Sequence, residues 1–140
     1  MKNLIYNLEE RQREFMAGGS MFTLIFGDDH KPEIRKLSSV LQKYFPLVLT
    51  LNSSDGEILI RSPEPGLMIL TDTLQYGVNT PIRLRNHFPE VGFLALFDRV
   101  DPEMELALRC SRTLFLGSYK AFFTHSQAIM GTFFRLCNVE

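Results

Sequence analysis

Five short apolar runs constrain this chain more than anything else in it: MFTLIF (21–26), LVLTL (47–51), LMILT (67–71), GFLALF (92–97) and TLFLG (113–117). Each has strand length, and each is followed by turn residues and then by a stretch with helical spacing. KPEIRKLSSVLQKYF sets Ile34, Leu37, Leu41 and Tyr44 on one helical face behind Pro32, and Pro46 stops it. SDGEILIRS (54–62) reads as one short helix before Pro63, Pro65 and Gly66. NTPIRLRNHF offers Thr80 as an N-cap with Pro81 at the first helical position, and DPEMELALRCS repeats that logic with Asp101 and Pro102. A long helical stretch runs from about Lys120 to Leu136. LMILT is apolar throughout, as a strand covered on both faces must be. The pattern predicts an α/β fold, an open parallel sheet with helices on both faces.

The bounds agree with one such domain. A chain of 140 residues buries a real core, and its 15 basic and 16 acidic residues leave a formal charge of −1. That balance gives no global electrostatic reason to expect nucleic acid or an anionic membrane as partner. No apolar run approaches the roughly 20 residues that span a bilayer, and Glu9, Glu10 and Arg11 interrupt any signal-peptide core. Cys110 and Cys137 are too few and too far apart for a disulfide framework or a zinc site, so the expected location is a reducing cytoplasm. Residues 1–20 form an N-terminal extension: NLIYNLEERQREFM reads as an amphipathic helix, followed by the flexible AGGS. It reads as an added dimerising helix, the tail of an upstream segment or a start-site extension. The domain proper is expected over 21–140.

In parallel sheets of this kind ligands bind beyond the carboxyl ends of the strands. Asp28 and Asp29 follow the first strand and Asp72 follows the third, so three carboxylates are expected at one edge of the sheet. Like charges repel unless a cation is present, and a hard divalent ion such as Mg2+ resolves the cluster. Read singly, Asp28 and Asp29 cap the next helix and Asp72 ends a strand. Read together, they favour a metal pair beside a carboxylate nucleophile. His30 is a solvated loop residue or, in principle, a transition-metal ligand.

Over residues 21–134 the chain resembles the receiver domain of bacterial response regulators. The blocks that carry the resemblance are IFGDDH, NSSDGE, PGLMILTDTL around Asp72, NHFPEVGFLALF, and DPEMELALRCSRTLFLGS, in that order. The resemblance implies a flavodoxin-like sheet of strand order 2-1-3-4-5. It implies Mg2+ held by Asp29, Asp72 and the main-chain carbonyl of Leu74, with Asp28 acting through water. It also implies that Asp72 takes a phosphoryl group from a histidine kinase or a small phosphodonor, and that the chain is a signalling protein rather than an enzyme.

Two positions depart from the family. The serine or threonine that bonds the phosphoryl group corresponds to Phe97, and the charge-compensating lysine corresponds to Ser118. Lys120 is either a substitute for that lysine or an exposed residue starting the last helix. Thr71 and Thr73 are expected to point away from the direction of Asp72, and Asp98 would add negative charge if it faced inward. The expected charge deficit would slow phosphorylation and weaken its transmission. The rival reading is a pseudo-receiver that docks or dimerises without phosphorylation. A magnesium-dependent phosphohydrolase needs a second acid or base just after its nucleophile, which TDTLQ lacks.

The family resemblance implies pairing through the fourth helix, fifth strand and fifth helix. The last helix, KAFFTHSQAIMGTFFRL, carries more large apolar groups than one face buries. Phe122, Phe123, Met130, Phe133 and Phe134 are therefore the candidate contacts of a homodimer or a partner domain. Phe115 falls near the family's aromatic switch position or is plain core. No output domain lies within the chain up to Glu140, which is expected of a stand-alone receiver or of a piece of a longer regulator.

Overall fold

The five apolar runs pair side by side. In the computed structural model, which describes residues 21–52 and 64–137, they form strands β1 (Thr23–Phe26), β2 (Val48–Leu51), β3 (Leu67–Thr71), β4 (Gly92–Leu96) and β5 (Phe115–Gly117). All neighbours are parallel and the order is β2-β1-β3-β4-β5, as the resemblance implied. The helix read over 54–62 and the extension 1–20 lie outside the described residues.

Period-two alternation divides the strands between two cores. Leu24, Phe26, Met68, Leu70, Phe93 and Ala95 face one side, while Ile25, Leu67, Ile69, Leu94 and Leu96 face the other. Because both faces are covered, both sets are apolar, which is why the strands read as continuous runs. Among the described residues four helices, α1 (Pro32–Leu41), α2 (Asn79–His87), α3 (Pro102–Cys110) and α4 (Tyr119–Cys137), cover the sheet. Leu84 of α2 with Met104 and Leu108 of α3 close the first core. Ile34, Leu37 and Leu41 of α1 close the second with Phe122, Met130 and Phe133 of α4.

The helix starts follow local chemistry, with one correction. Asp101 caps α3 as expected, its carboxylate accepting the Met104 N–H at 2.8 Å. Thr80 does not cap α2: a turn from Gly77 to Thr80 begins the helix earlier, at Asn79, so Pro81 lies inside it. α4 begins one residue before the expected start, because the Ser118 hydroxyl accepts the Ala121 N–H at 3.0 Å.

The last helix also requires a correction. Phe122, Met130 and Phe133 are core residues, with Phe122 and Met130 at 0% exposure. Phe123 is half-buried beneath the Lys36 ammonium, 4.4 Å from the ring centre, and Phe134 packs on Tyr44 and Phe45. The sequence count assumed one packing surface, whereas α4 packs against the sheet and also against α1. Phe115 is half-buried on the same side and packs on Phe122, with ring centres 6.3 Å apart.

At the amino-terminal edge of β4 and β5 a buried arginine ties the connections together. Arg85 donates to five main-chain carbonyls: Ser111 at 2.7 Å, Phe88 at 3.2 Å, Pro89 at 3.0 Å, Val91 at 2.7 Å and Arg112 at 3.3 Å. Its guanidinium also lies 4.1 Å from the Phe93 ring centre. No carboxylate neutralises it by an ion pair among the described residues.

Candidate functional site

At the opposite, carboxyl-terminal edge the chain leaves β1 through Gly27. A Cβ there would lie 2.9 Å from Ile34 Cδ1 and 3.1 Å from Thr71 Oγ1, so a larger residue would have to displace the end of the Ile34 side chain and crowd the Thr71 hydroxyl. Asp28 follows, half-buried, with its Oδ1 accepting the His30 N–H at 2.9 Å. Asp29 and His30 are exposed, and His30 Nε2 lies 3.9 Å from Asp29 Oδ1.

Thr71 and Thr73, on either side of Asp72, stitch this loop to β3. Asp28 N–H donates to Thr73 Oγ1 at 2.9 Å, the two threonine hydroxyls are 2.8 Å apart, and Thr71 Oγ1 donates to the Phe26 carbonyl at 2.7 Å. The geometry allows one direction of donation along the whole chain, from Asp28 N–H through Thr73 and Thr71 to Phe26, and such chains polarise cooperatively. Tyr76 adds its hydroxyl to the same Phe26 carbonyl at 3.1 Å. Both threonine hydroxyls are thus turned to the β1 loop.

The sheet ladder runs one row beyond the strands. Asp72 N–H donates to Leu96 O and Phe97 N–H to Gly117 O, which sets Asp72, Phe97 and Ser118 side by side at the ends of β3, β4 and β5. Phe97 is half-buried against the first core, 6.3 Å from the Tyr76 ring, and supplies no hydroxyl. Ser118 spends its hydroxyl on capping α4. Lys120 is exposed and lines an open cleft of about 500 Å³ with Lys36, Asp98, Tyr119, Phe123 and Thr124. Leu74 sits in the turn after Asp72 with its side chain packed on the first core.

A residue that sequence reasoning overlooked dominates Asp72. The Tyr119 hydroxyl donates to Asp72 Oδ1 at 2.7 Å, and Asp98 N–H donates to Oδ2 at 2.9 Å. Tyr119 N–H in turn points to Asp98 Oδ1 at 3.4 Å, closing a ring through the ends of β3, β4 and β5. Burial, then the bond to Asp72, pushes the Tyr119 phenol above its ordinary range. It stays neutral and acts as a donor. The available signal was its place: Tyr119 is the first side chain after the row that holds Asp72, Phe97 and Ser118.

These bonds alter the expected carboxylate cluster. Among the described residues the group whose ligand atoms all lie within 4.8 Å is Asp28, Asp29 and His30, without Asp72. Asp72 is drawn instead toward α4 and the loop after β4. Two carboxylates and an imidazole form a donor set that accepts hard divalent ions and first-row transition ions alike, so the loop fits a divalent cation.

The comparisons with known proteins add the fold class. No family model matches the sequence, and no curated protein matches it. Among solved structures the fold is that of response-regulator receiver domains. The Mn2+-bound form of response regulator Rcp1 matches with a TM-score of 0.61 at 19% identity, over 86% of this chain and 97% of that one. A two-component response regulator from Legionella pneumophila matches with a TM-score of 0.59 at 14% identity, over 79% and 98%. RcsB from Salmonella enterica serovar Typhimurium, bound to promoter rprA in the presence of phosphomimetic BeF3−, matches with a TM-score of 0.58 at 16% identity, over 80% and 67%.

Proposed function

We propose that this chain is an atypical receiver module of two-component signal transduction that takes a phosphoryl group on Asp72 with Mg2+ held beside the Asp28–Asp29 pair. The observation that carries the reading is the threonine relay. It fixes the acidic loop after β1 to the turn that holds Asp72 on the adjacent strand, through a 2.9 Å bond from Asp28 N–H to Thr73. Asp29, with Asp28 acting through water, would hold the ion, and the Leu74 carbonyl and Asp72 would complete the set once Asp72 Oδ1 turned from the Tyr119 hydroxyl toward the loop. Bound there, the ion would offset charge on the entering phosphoryl group. The chain's residues would do the rest: Asp72 offers the attacking oxygen, and Asp98 N–H steadies its second oxygen. The donor would be a histidine kinase or a small acyl phosphate, the module itself being no enzyme and acting in the cytoplasm.

Intact-mass spectrometry after incubation with acetyl phosphate and Mg2+ tests this directly. One phosphoryl adduct is expected, absent from Asp72→Ala. Asp29→Ala should weaken Mg2+ binding at least tenfold in a calorimetric titration, since it removes an exposed carboxylate ligand. Unchanged affinity would refute the metal assignment.

A second reading is favoured by Phe97 and Ser118, which replace a hydroxyl and a cation by a packed ring and a helix cap. On it the module signals through protein contact alone, by homodimerisation through α3, β5 and α4. Its contact would centre on the shallow groove of about 170 Å³ bounded by Leu114, Phe115, Ala128, Ile129 and Thr132. A folded protein without adduct, yet dimeric by light scattering, would select it.

A further inference from the structure

Asp72 has both carboxylate oxygens occupied, and one of the two donors is a side chain. We propose that Tyr119 is a positioning residue that latches Asp72 in an unreactive orientation, so that release of its phenol gates phosphoryl transfer. The inference rests on the reading of Asp72 as the acceptor. At 2.7 Å the Tyr119 bond has the ordinary length of a well-formed hydroxyl bond, and the charge of its carboxylate acceptor strengthens it. The ring behind it is only 7% exposed and packs in the second core, so the phenol is held in place. Its own N–H points to Asp98 Oδ1 in a long contact of 3.4 Å, and Asp98 N–H donates to the other Asp72 oxygen at 2.9 Å. Asp72 therefore cannot turn toward the Asp28–Asp29 loop without breaking the phenol bond.

The transfer step shows what the latch opposes. An Asp72 oxygen attacks the phosphorus of an acyl phosphate; the bond from phosphorus to the acyl oxygen breaks, and the carboxylate leaves with its electron pair. Mg2+ is the only co-reactant and no proton changes hands. The Tyr119 O–H stays intact, exchanging Asp72 Oδ1 for water or a phosphoryl oxygen. Because Tyr119 is also the first residue of α4, that exchange reaches the first turn of the helix. The latch thus supplies, at the start of α4 just past β5, a hydroxyl coupled to Asp72, which Phe97 cannot supply just past β4.

The test is the rate of adduct formation with acetyl phosphate and Mg2+, by intact mass, in the full chain and in Tyr119→Phe, Asp72→Ala and the double variant. Loss of a hydrogen bond to a charged acceptor predicts roughly a tenfold or greater acceleration in Tyr119→Phe. Phenylalanine retains the buried ring, and a thermal melt confirms folding; Tyr119→Leu is the second variant and should also accelerate. A loss of packing alone would not raise acceptor reactivity. An equal or slower rate in both folded variants overturns the latch and leaves Asp72 as the acceptor. No adduct in any protein, or an adduct that survives Asp72→Ala in the double variant, overturns the acceptor reading and the latch with it.

Discussion

Arg85 and Thr23 show how differently two buried polar side chains bear on stability. Arg85 is 9% exposed and serves carbonyls on the segments leading out of α2 and out of α3. Arg85→Ala strands several of these carbonyls and should destabilise the fold by about 3 kcal/mol or more in urea titration. Arg85→Lys should recover less than half of that, because an ammonium lacks the planar fork. Thr23 presents the opposite case: it is fully buried and its hydroxyl has no hydrogen-bond partner among the described residues. Thr23→Val keeps the shape and removes the orphan, so urea titration should show a gain of about 1 kcal/mol. Neither role was legible in the sequence. Arg85 read as one of several polar residues on a short helix, and only the chain path at the ends of α2 and α3 brings five carbonyls around it. Tyr119 was hidden for the same reason, since its partner Asp72 lies 47 residues away.

Elements were far more legible than contacts. The strands announced themselves because each is a short apolar run closed by turn residues. The complete burial of β1 and β3 shows that both faces are covered at the centre of the sheet, while the edge strands β2 and β5 are only partly buried. The last helix was read at nearly its true length, but its surface was misjudged. Phe122, Met130 and Phe133 point into the core, while Phe123 lies half-buried beneath Lys36 of α1 and Phe134 half-buried against Tyr44 and Phe45 just past that helix. This gives a graded expectation along one helix. Phe122→Ala should cost about 3–5 kcal/mol, as for a fully buried phenylalanine. Phe123→Ala should cost about 1 kcal/mol, losing part of its contact area and the Lys36 contact. Chemical denaturation of the two variants side by side checks the ordering, and similar losses would contradict the packing described for α4. The acidic loops were legible as neighbours at one edge of the sheet. The three-carboxylate cluster expected there does not close, because the orientation of Asp72 is decided by a donor on another element.

On the scale of the whole molecule, stability and candidate chemistry sit at opposite edges of the sheet. Arg85 locks the amino-terminal edge, while Asp72 and the acidic loop occupy the carboxyl-terminal one. The carboxyl-terminal edge nevertheless carries a stability term of its own, in two tyrosines. Tyr76 donates to the Phe26 carbonyl and Tyr119 to Asp72, and burial first of all raises both phenols above the ordinary value of 10.0. The unfolded chain ionises these groups near pH 10 while the folded chain keeps them protonated. A raised folded-state value means that the contribution is fully present below about pH 10 and is lost as the pH climbs beyond it toward the folded value. Each tyrosine then removes about 0.7 kcal/mol of stability per pH unit at about pH 10, where the unfolded phenol is half ionised, and approaches about 1.4 kcal/mol per unit at about pH 11. The pair's decline should therefore steepen toward about 2.8 kcal/mol per unit. Urea titrations between pH 9 and 11 measure this. Tyr119→Phe should halve the tyrosine part of the slope while leaving the Tyr76 part in place. A slope unchanged by the substitution would mean that Tyr119 ionises as freely in the folded protein as in the unfolded chain, which is incompatible with a buried phenol bonded to a carboxylate.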